Sequence, residues 1–150
     1  MAIATGTMTI TITEALDVGT TVMDTATSVV ETITVNDIFK RVITCPTSEI
    51  VLYLTHASVV QGYVLDKDLV KYLRITNHDT TNFVTLRVSD SNNDEFAYKL
   101  AAGQSFILWG HAASMSAADA ATAGAVNADI ASIEAQADTA ECDLEVVVAS

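Results

Sequence analysis

The chain has 150 residues, a length that fits one domain with a substantial core. Its 19 acidic residues outnumber 7 basic ones and give a formal net charge of −12, which argues against direct nucleic-acid binding because a phosphate backbone repels such a chain. Aromatic residues make up only 6% of the sequence, so we expect a core of Val, Ile and Leu, a composition that favours sheet over helix.

The first segment in chain order, residues 1–15, contains a regular alternation of Thr with Ile or Met that is typical of a strand. This strand is either an edge strand in a sheet of its own chain or an extended arm that pairs with a neighbouring subunit, since unpaired strand edges recruit partners. The second interpretation makes Ile10 and Ile12 candidate contact residues. We predict a loop over 15–27 and a single β-sandwich domain over 16–150.

Three further strands are predicted at residues 28–35, 38–44 and 50–54. The second contains Lys40 and Arg41, the only adjacent basic pair in the chain, which either relieves local repulsion as a solvated pair or contacts an acidic patch on another subunit. Residues 50–54 are apolar almost throughout, which favours a central strand with both faces covered. Residues 59–64 are predicted to continue the sheet, and Asp66 is placed to cap one helical turn.

Residues 72–109 have the pattern of four short strands joined by three turns. The turns at 78–82 and 90–95 are rich in Asn and Asp, whose side chains hydrogen-bond their own backbone, and Gly103 allows the third. Three successive hairpins would form an antiparallel meander.

An alanine-rich stretch, residues 110–129, carries few bulky apolar side chains. It is predicted to be a long, partly irregular loop, with a short helix as the alternative because alanine favours helix. As a loop it would lie on a neighbouring subunit, which makes Met115 and Val126 candidate contact residues.

The C-terminal residues 133–148 alternate again on both sides of a turn at 138–141, which predicts a closing hairpin with one acidic face. Eight to ten strands in total favour an all-β antiparallel β-sandwich, and a jelly roll is the leading topology.

The sequence at Ile75–Asn77, Asp79, Asn82–Val84, Leu100 and Gly103, together with residues 137–145, resembles small β-sandwich proteins of tailed-bacteriophage particles. The resemblance covers roughly half of the chain and implies a virion component. The leading expectation is a head decoration or cement protein on the capsid exterior, a homo-oligomer such as a trimer that contacts the major capsid protein. It would be made in the host cytoplasm, and the chain shows no signal for secretion or membrane insertion.

Two other functions remain open at this stage. The same resemblance includes tail and fibre components, which differ from a cement protein in copy number per particle. A carbohydrate-binding module is the alternative of another class, because Trp109 and four tyrosines, Tyr53, Tyr63, Tyr72 and Tyr98, could line a sugar groove, although packing explains them as well.

The residues that usually carry chemistry are scattered in this sequence. His56, His78 and His111 lack metal-ligand spacing, and the oxygen-rich residues 90–95 lack the glycine and the glutamate of an EF-hand. No serine-nucleophile or phosphate-loop motif is present, and the acidic residues are expected to be solvated. We therefore expect no enzyme activity, cofactor or metal. Cys45 and Cys142 are expected to be two unlinked buried thiols.

Overall fold

A computed structural model of the protein describes residues 5–18, 21–56, 65–66, 70–109, 114–115 and 128–150. The chain forms two compact units, Met1–Asp37 and Ile38–Ser150. Over the described residues all regular structure is strand. The strands are β1 Gly6–Val18, β2 Thr21–Val35, β3 Ile38–Cys45, β4 Ile50–His56, β5 Leu65–Asp66, β6 Tyr72–Asn77, β7 Val84–Asp90, β8 Glu95–Leu100, β9 Ser105–Trp109, β10 Ser114–Met115, β11 Ala128–Ala137 and β12 Cys142–Ala149.

The first unit is a long antiparallel hairpin of β1 and β2. Pairing runs from Gly6 opposite Val35 to Val18 opposite Thr21, with a register shift between Glu14 and Leu16. The predicted loop over 15–27 is therefore wrong, because both strands continue through that segment. The threonines of β2 supply the β-branched side chains that favour a strand there. Within the predicted arm, residues 1–15, the described residues 6–14 pair with residues 27–35, which the sequence pattern assigned to the sandwich domain.

The second unit contains two sheets that pack against each other. One has the strand order β3-β12-β6-β9, and the other has the order β5-β4-β11-β7-β8 with β10 beside β11. Apart from the parallel contact of β5 with β4, all pairs are antiparallel. The predicted all-β antiparallel sandwich is confirmed.

The strand pairs of the second unit are nested in sequence. The hairpin β7–β8 lies innermost, the pair β6–β9 encloses it, and the pairs β4–β11 and β3–β12 enclose both. Each enclosing pair joins strands that are farther apart along the chain, so the first long strand of the unit lies beside its last.

The core of this unit lies between the two sheets and is aliphatic, as the composition predicts. Alternate residues of the central strands supply it, because successive side chains of a strand point to opposite faces. Its fully buried members include Ile75, Val84, Leu86, Val88, Leu100, Ile133, Leu144, Val146, Cys45 and Cys142.

Two sequence predictions of hairpins are wrong. Strands β6 and β9 belong to one sheet and β7 and β8 to the other, so residues 72–109 contain one hairpin and two crossings between sheets instead of a meander. Likewise β11 and β12 lie in different sheets, so the C-terminal strands form no closing hairpin. Alternation fixes which face of a strand is buried, but a chain that reverses within a sheet and one that crosses to the opposite sheet show the same alternation.

The prediction that residues 50–54 form a strand with both faces covered is wrong. Val51 in β4 is 58% exposed, so one face of the strand is open to solvent there. The apolar run arises from a bulge, because the register with β11 shifts between Ile133 and Glu134 and leaves Leu52 as an extra residue. Leu52 and its neighbour Tyr53 both pack against the core, which ordinary alternation would not allow.

The crossing from β6 to β7 is organised by a buried amide. Asn77 is fully buried, and its Nδ2 donates to the carbonyl oxygens of Asn82 at 2.9 Å and Leu100 at 3.3 Å. Its Oδ1 accepts from the backbone N–H of Asp79 at 3.0 Å. The side chain of Asp79 then accepts from the N–H groups of Asn82 and Thr81, which in this order hold the pKa of this carboxyl below its usual value.

Several predictions fall wholly or mainly outside the described residues. The strand over 59–64 is one. Leu65–Asp66 pairs with β4 as a short strand, and 67–69, where a helical turn capped by Asp66 was predicted, are not described. Of the alanine-rich stretch 110–129, only β10 and the start of β11 are described.

Candidate functional site

The β1–β2 hairpin presents two chemically different faces. Residues opposite each other in antiparallel strands point to the same side, so Met8 with Ile33 and Ile12 with Val29 share one face. We call this the apolar hairpin face; its members are Met8, Ile10, Ile12, Val29, Ile33 and Val35, with Glu31 opposite Ile10. The other face carries Thr7, Thr9, Thr11, Thr13, Ser28, Val30, Thr32 and Thr34, all of them exposed.

Burial along the apolar hairpin face changes from one end to the other. Val35 and Ile10 are buried, whereas Ile12 is 38% and Val29 is 51% exposed. Ile12 and Val29 are register partners, so two large aliphatic side chains lie side by side in water. Removing apolar surface from water is favourable, and this pair is therefore suited to contact another molecule.

The structure places the predicted contact residues in different surroundings. Ile10 and Ile12 lie on the same face of β1, but only Ile12 is exposed. Met115 lies in the short strand β10, and Val126 lies outside the described residues.

The basic pair of β3 is already engaged within the chain. The Nζ of Lys40 lies 3.0 Å from Oε2 of Glu145, whose other carboxylate oxygen accepts a hydrogen bond from Arg74. These three side chains come from adjacent strands β3, β12 and β6, and they form a charge ladder on the outer face of the sheet. Arg41 is exposed and also interacts within the chain.

The charge ladder makes the stability of the fold depend on pH. The hydrogen bond from Lys40 is the main reason that the pKa of Glu145 lies below its ordinary value of 4.5, and the hydrogen bond from Arg74 is the second. A carboxylate with a lowered folded-state pKa stabilises the fold above its unfolded pKa and loses that contribution as pH falls through the folded value. We expect Glu145→Gln to lower the free energy of unfolding at neutral pH and to approach the wild type in acid, measured by urea denaturation across this range.

The control for that variant is Glu141→Gln in the exposed turn before β12, which is expected to change the free energy of unfolding at neutral pH by less than about 0.5 kcal/mol. A deficit of Glu145→Gln that stays constant from neutral to acidic pH would contradict the electrostatic origin of the effect.

On the other sheet, Arg87 in β7 interacts with three carboxylates. Its guanidinium donates to both oxygens of Glu49, at 3.0 and 2.7 Å, and to Glu95, and it lies 3.8 Å from Oε2 of Glu134. The expectation that acidic residues are simply solvated is wrong for Glu134, which is largely buried. Hydrogen bonding from Arg87 lowers the pKa of Glu49 below its ordinary value.

The oxygen-rich turn after β7 is organised by its own backbone. Asp90 is buried, and its Oδ1 accepts from the N–H groups of Asn92 at 2.8 Å and Asp94 at 2.9 Å. Asn93 adopts a left-handed conformation with φ of 66°, which asparagine tolerates. Within the described part of the chain, no group of three His, Cys, Asp or Glu side chains is arranged to hold a metal ion.

The aromatic residues proposed to line a sugar groove lie in different surroundings. Tyr53 and Tyr72 are buried, and burial raises the pKa of Tyr53. Tyr98 is partly exposed, and its ring packs on Phe106 with a centroid separation of 5.3 Å. Tyr63 and the side chain of Trp109 lie outside the description.

Comparisons with family models, with curated proteins and with solved structures give no match to this chain. Among the residues described, none belongs to a helix long and apolar enough to cross a membrane. The class that the strand pairing defines is an all-β antiparallel sandwich preceded by a separate hairpin unit.

Proposed function

We propose that this protein is a non-enzymatic structural component of a tailed-bacteriophage particle, a decoration protein that binds the outside of the head and stabilises the shell. The observation that carries the proposal is the hairpin unit, with its exposed Ile12–Val29 pair beside a threonine face. A two-stranded hairpin is marginally stable alone, so an extended one with an exposed apolar end is suited to pair or pack with neighbouring subunits.

The nested strand pairing supports a jelly-roll topology for the second unit. Folding one long hairpin over on itself generates this nesting, with β3, β12, β6 and β9 in one sheet and β4, β11, β7 and β8 in the facing sheet, to which the two-residue strands β5 and β10 are added. Jelly rolls recur in viral capsid proteins and in lectins. Because one fold hosts many functions, the topology supports a virion role only together with the exposed pair of the hairpin unit.

The proposed mechanism is stabilisation by mass action. A contact that forms only with the assembled shell favours the assembled state by an amount that grows with the concentration and affinity of the bound protein. The partner is the major capsid protein, and copies of this chain associate as a homotrimer. We propose contacts at Ile12 and its exposed partner Val29. Contacts at Lys40, Arg41, Met115 and Val126 stay predictions from the sequence, whereas Ile10 is buried. The net charge of −12 suits an outer surface away from the packaged genome.

The test is the abundance and position of this chain in purified particles of the phage that encodes it. We expect hundreds of copies per particle, measured by densitometry, and labelling of intact heads by an antibody against the protein. A few copies at the tail would favour the alternative of a tail or fibre component. Absence from purified particles would overturn the virion function.

A carbohydrate-binding module is the second candidate, because Phe96 and Tyr98 on the edge strand β8 are partly exposed. Exposed aromatic rings can stack on sugars, and jelly rolls include lectins. Binding on a glycan array that is lost in Tyr98→Ala would support this candidate, and a blank array would remove it.

A further inference from the structure

The two cysteines are 97 positions apart in sequence but adjacent in the fold. Cys45 ends β3 and Cys142 begins β12, and the two residues are direct partners in the antiparallel register. Direct partners point to the same face, and both side chains belong to the core cluster between the sheets. Burial of the two thiols confirms one sequence prediction, whereas their adjacency was not predicted because it depends on which strands pair.

We propose that Cys45 and Cys142 are a modification site that forms an intrachain disulfide once the protein reaches an oxidising medium. Direct partners in antiparallel strands have Cα atoms about 4.5 or 5.5 Å apart, depending on whether the pair is hydrogen-bonded. Both separations fall within the range of roughly 4.4–6.8 Å that disulfides span. The bond therefore requires little movement of the backbone.

The reaction is a thiol–disulfide exchange with a small-molecule disulfide such as oxidised glutathione. The thiolate of one cysteine attacks a sulfur of the reagent and displaces one glutathione thiolate, which leaves a mixed disulfide. The second cysteine loses its proton, attacks the protein sulfur of the mixed disulfide and expels the second glutathione. The two protein thiols are oxidised by two electrons, and the reagent is reduced to two thiols that take up the protons.

The fold also explains why we expect the pair to react slowly. Burial raises the pKa of the Cys45 thiol to about 11 and also raises that of Cys142, so little thiolate is present at neutral pH. Reagent enters where the strands end, since Cys45 adjoins Pro46 and Cys142 follows the exposed turn 138–141. Local opening of these ends sets the rate.

The disulfide would raise the stability of the second unit strongly because of the strands that it joins. It joins the first and last long strands of the second unit and closes almost all of that unit into one covalent loop. Closure of a long loop removes more conformational freedom from the unfolded chain than closure of a short one. This inference does not depend on the proposed virion function.

The test incubates the intact protein with oxidised glutathione at mildly alkaline pH. We expect the mass to fall by two hydrogens, a proteolytic peptide that links Cys45 to Cys142, and a melting temperature that rises by roughly 10 °C and returns after reduction. The variants Cys45→Ala and Cys142→Ala, treated in the same way, should show no such rise over their own untreated samples.

Comparing oxidised and reduced wild-type protein needs no variant, so the inference can be tested even if an alanine variant fails to fold. Two free thiols after prolonged treatment, a stable glutathione adduct without the internal bond, or a disulfide between two chains would each overturn it.

Discussion

Replacing Asn77 by alanine is expected to lower the free energy of unfolding by about 3 kcal/mol, the largest effect we predict for any single polar side chain of this protein. The amide of Asn77 is fully buried and satisfies the carbonyls of Asn82 and Leu100 and the N–H of Asp79. Alanine removes all three hydrogen bonds, of which the bond to Leu100 is buried and the other two are partly buried, and a buried polar group that loses its hydrogen bond is costly. Urea denaturation followed by circular dichroism measures the loss.

The variant Asn77→Asp separates hydrogen bonding from packing, since aspartate has almost the same shape. A carboxylate would face two carbonyl oxygens, so its folded-state pKa should lie above its unfolded value. A raised folded-state pKa means that stability is highest below the unfolded pKa and is lost as pH rises through the folded one. Asn77→Asp should therefore recover towards the wild type in acid, whereas Asn77→Ala should not.

The control is Asn92→Ala in the exposed turn after β7, which should change stability by less than about 0.5 kcal/mol. Equal losses for Asn77→Ala and Asn92→Ala would show that the buried amide does not organise the crossing between the sheets.

The double variant Ile12→Thr with Val29→Thr is expected to weaken binding to undecorated heads by roughly tenfold or more. Both residues are exposed partners on the apolar hairpin face, and threonine keeps the β-branched shape while replacing apolar surface by a hydroxyl. A tenfold loss corresponds to about 1.4 kcal/mol, less than full burial of two aliphatic side chains contributes. Co-sedimentation of labelled protein with heads measures the affinity.

The chain offers a closely matched control for this experiment. Val30 is 59% exposed, against 51% for Val29, and it lies on the threonine face. Val29→Thr alone and Val30→Thr alone are the same chemical change on adjacent residues that point to opposite sides. We expect a loss of binding only for Val29→Thr, with similar melting temperatures for both. Equal losses, or none, would contradict docking through the apolar hairpin face.

Sequence patterns predicted most strands because alternation is a local property. Residues 38–44, 50–54 and 72–76 were predicted as strands, and the structure has Ile38–Cys45, Ile50–His56 and Tyr72–Asn77. The assignment of strands to sheets could not be predicted in the same way, since it depends on contacts between distant residues. The separation of β11 and β12 into different sheets and the bulge at Leu52 both arise from such contacts.

The candidate site was predicted only in part for the same reason. Ile12 was identified from alternation, but its partner Val29 depends on the register of the hairpin. The pairing of Lys40 with Glu145 joins residues that lie far apart in the chain. The burial of Asn77 could have been predicted, because Asn77 continues the alternation of the inward-facing residues Leu73 and Ile75. It was missed because asparagine at the end of a strand is also typical of a turn.

The nesting of strand pairs has a consequence for how the molecule is made. As the polypeptide leaves the ribosome, β3 emerges well before the strand it pairs with, β12, because the other strands of the second unit lie between them in the chain. Contacts of such long range slow folding, and the edge of β3 has to wait until β12 has been synthesised. The second unit can therefore complete its fold only once β12 has emerged, so we expect the growing chain to pass through an aggregation-prone interval before the sandwich closes.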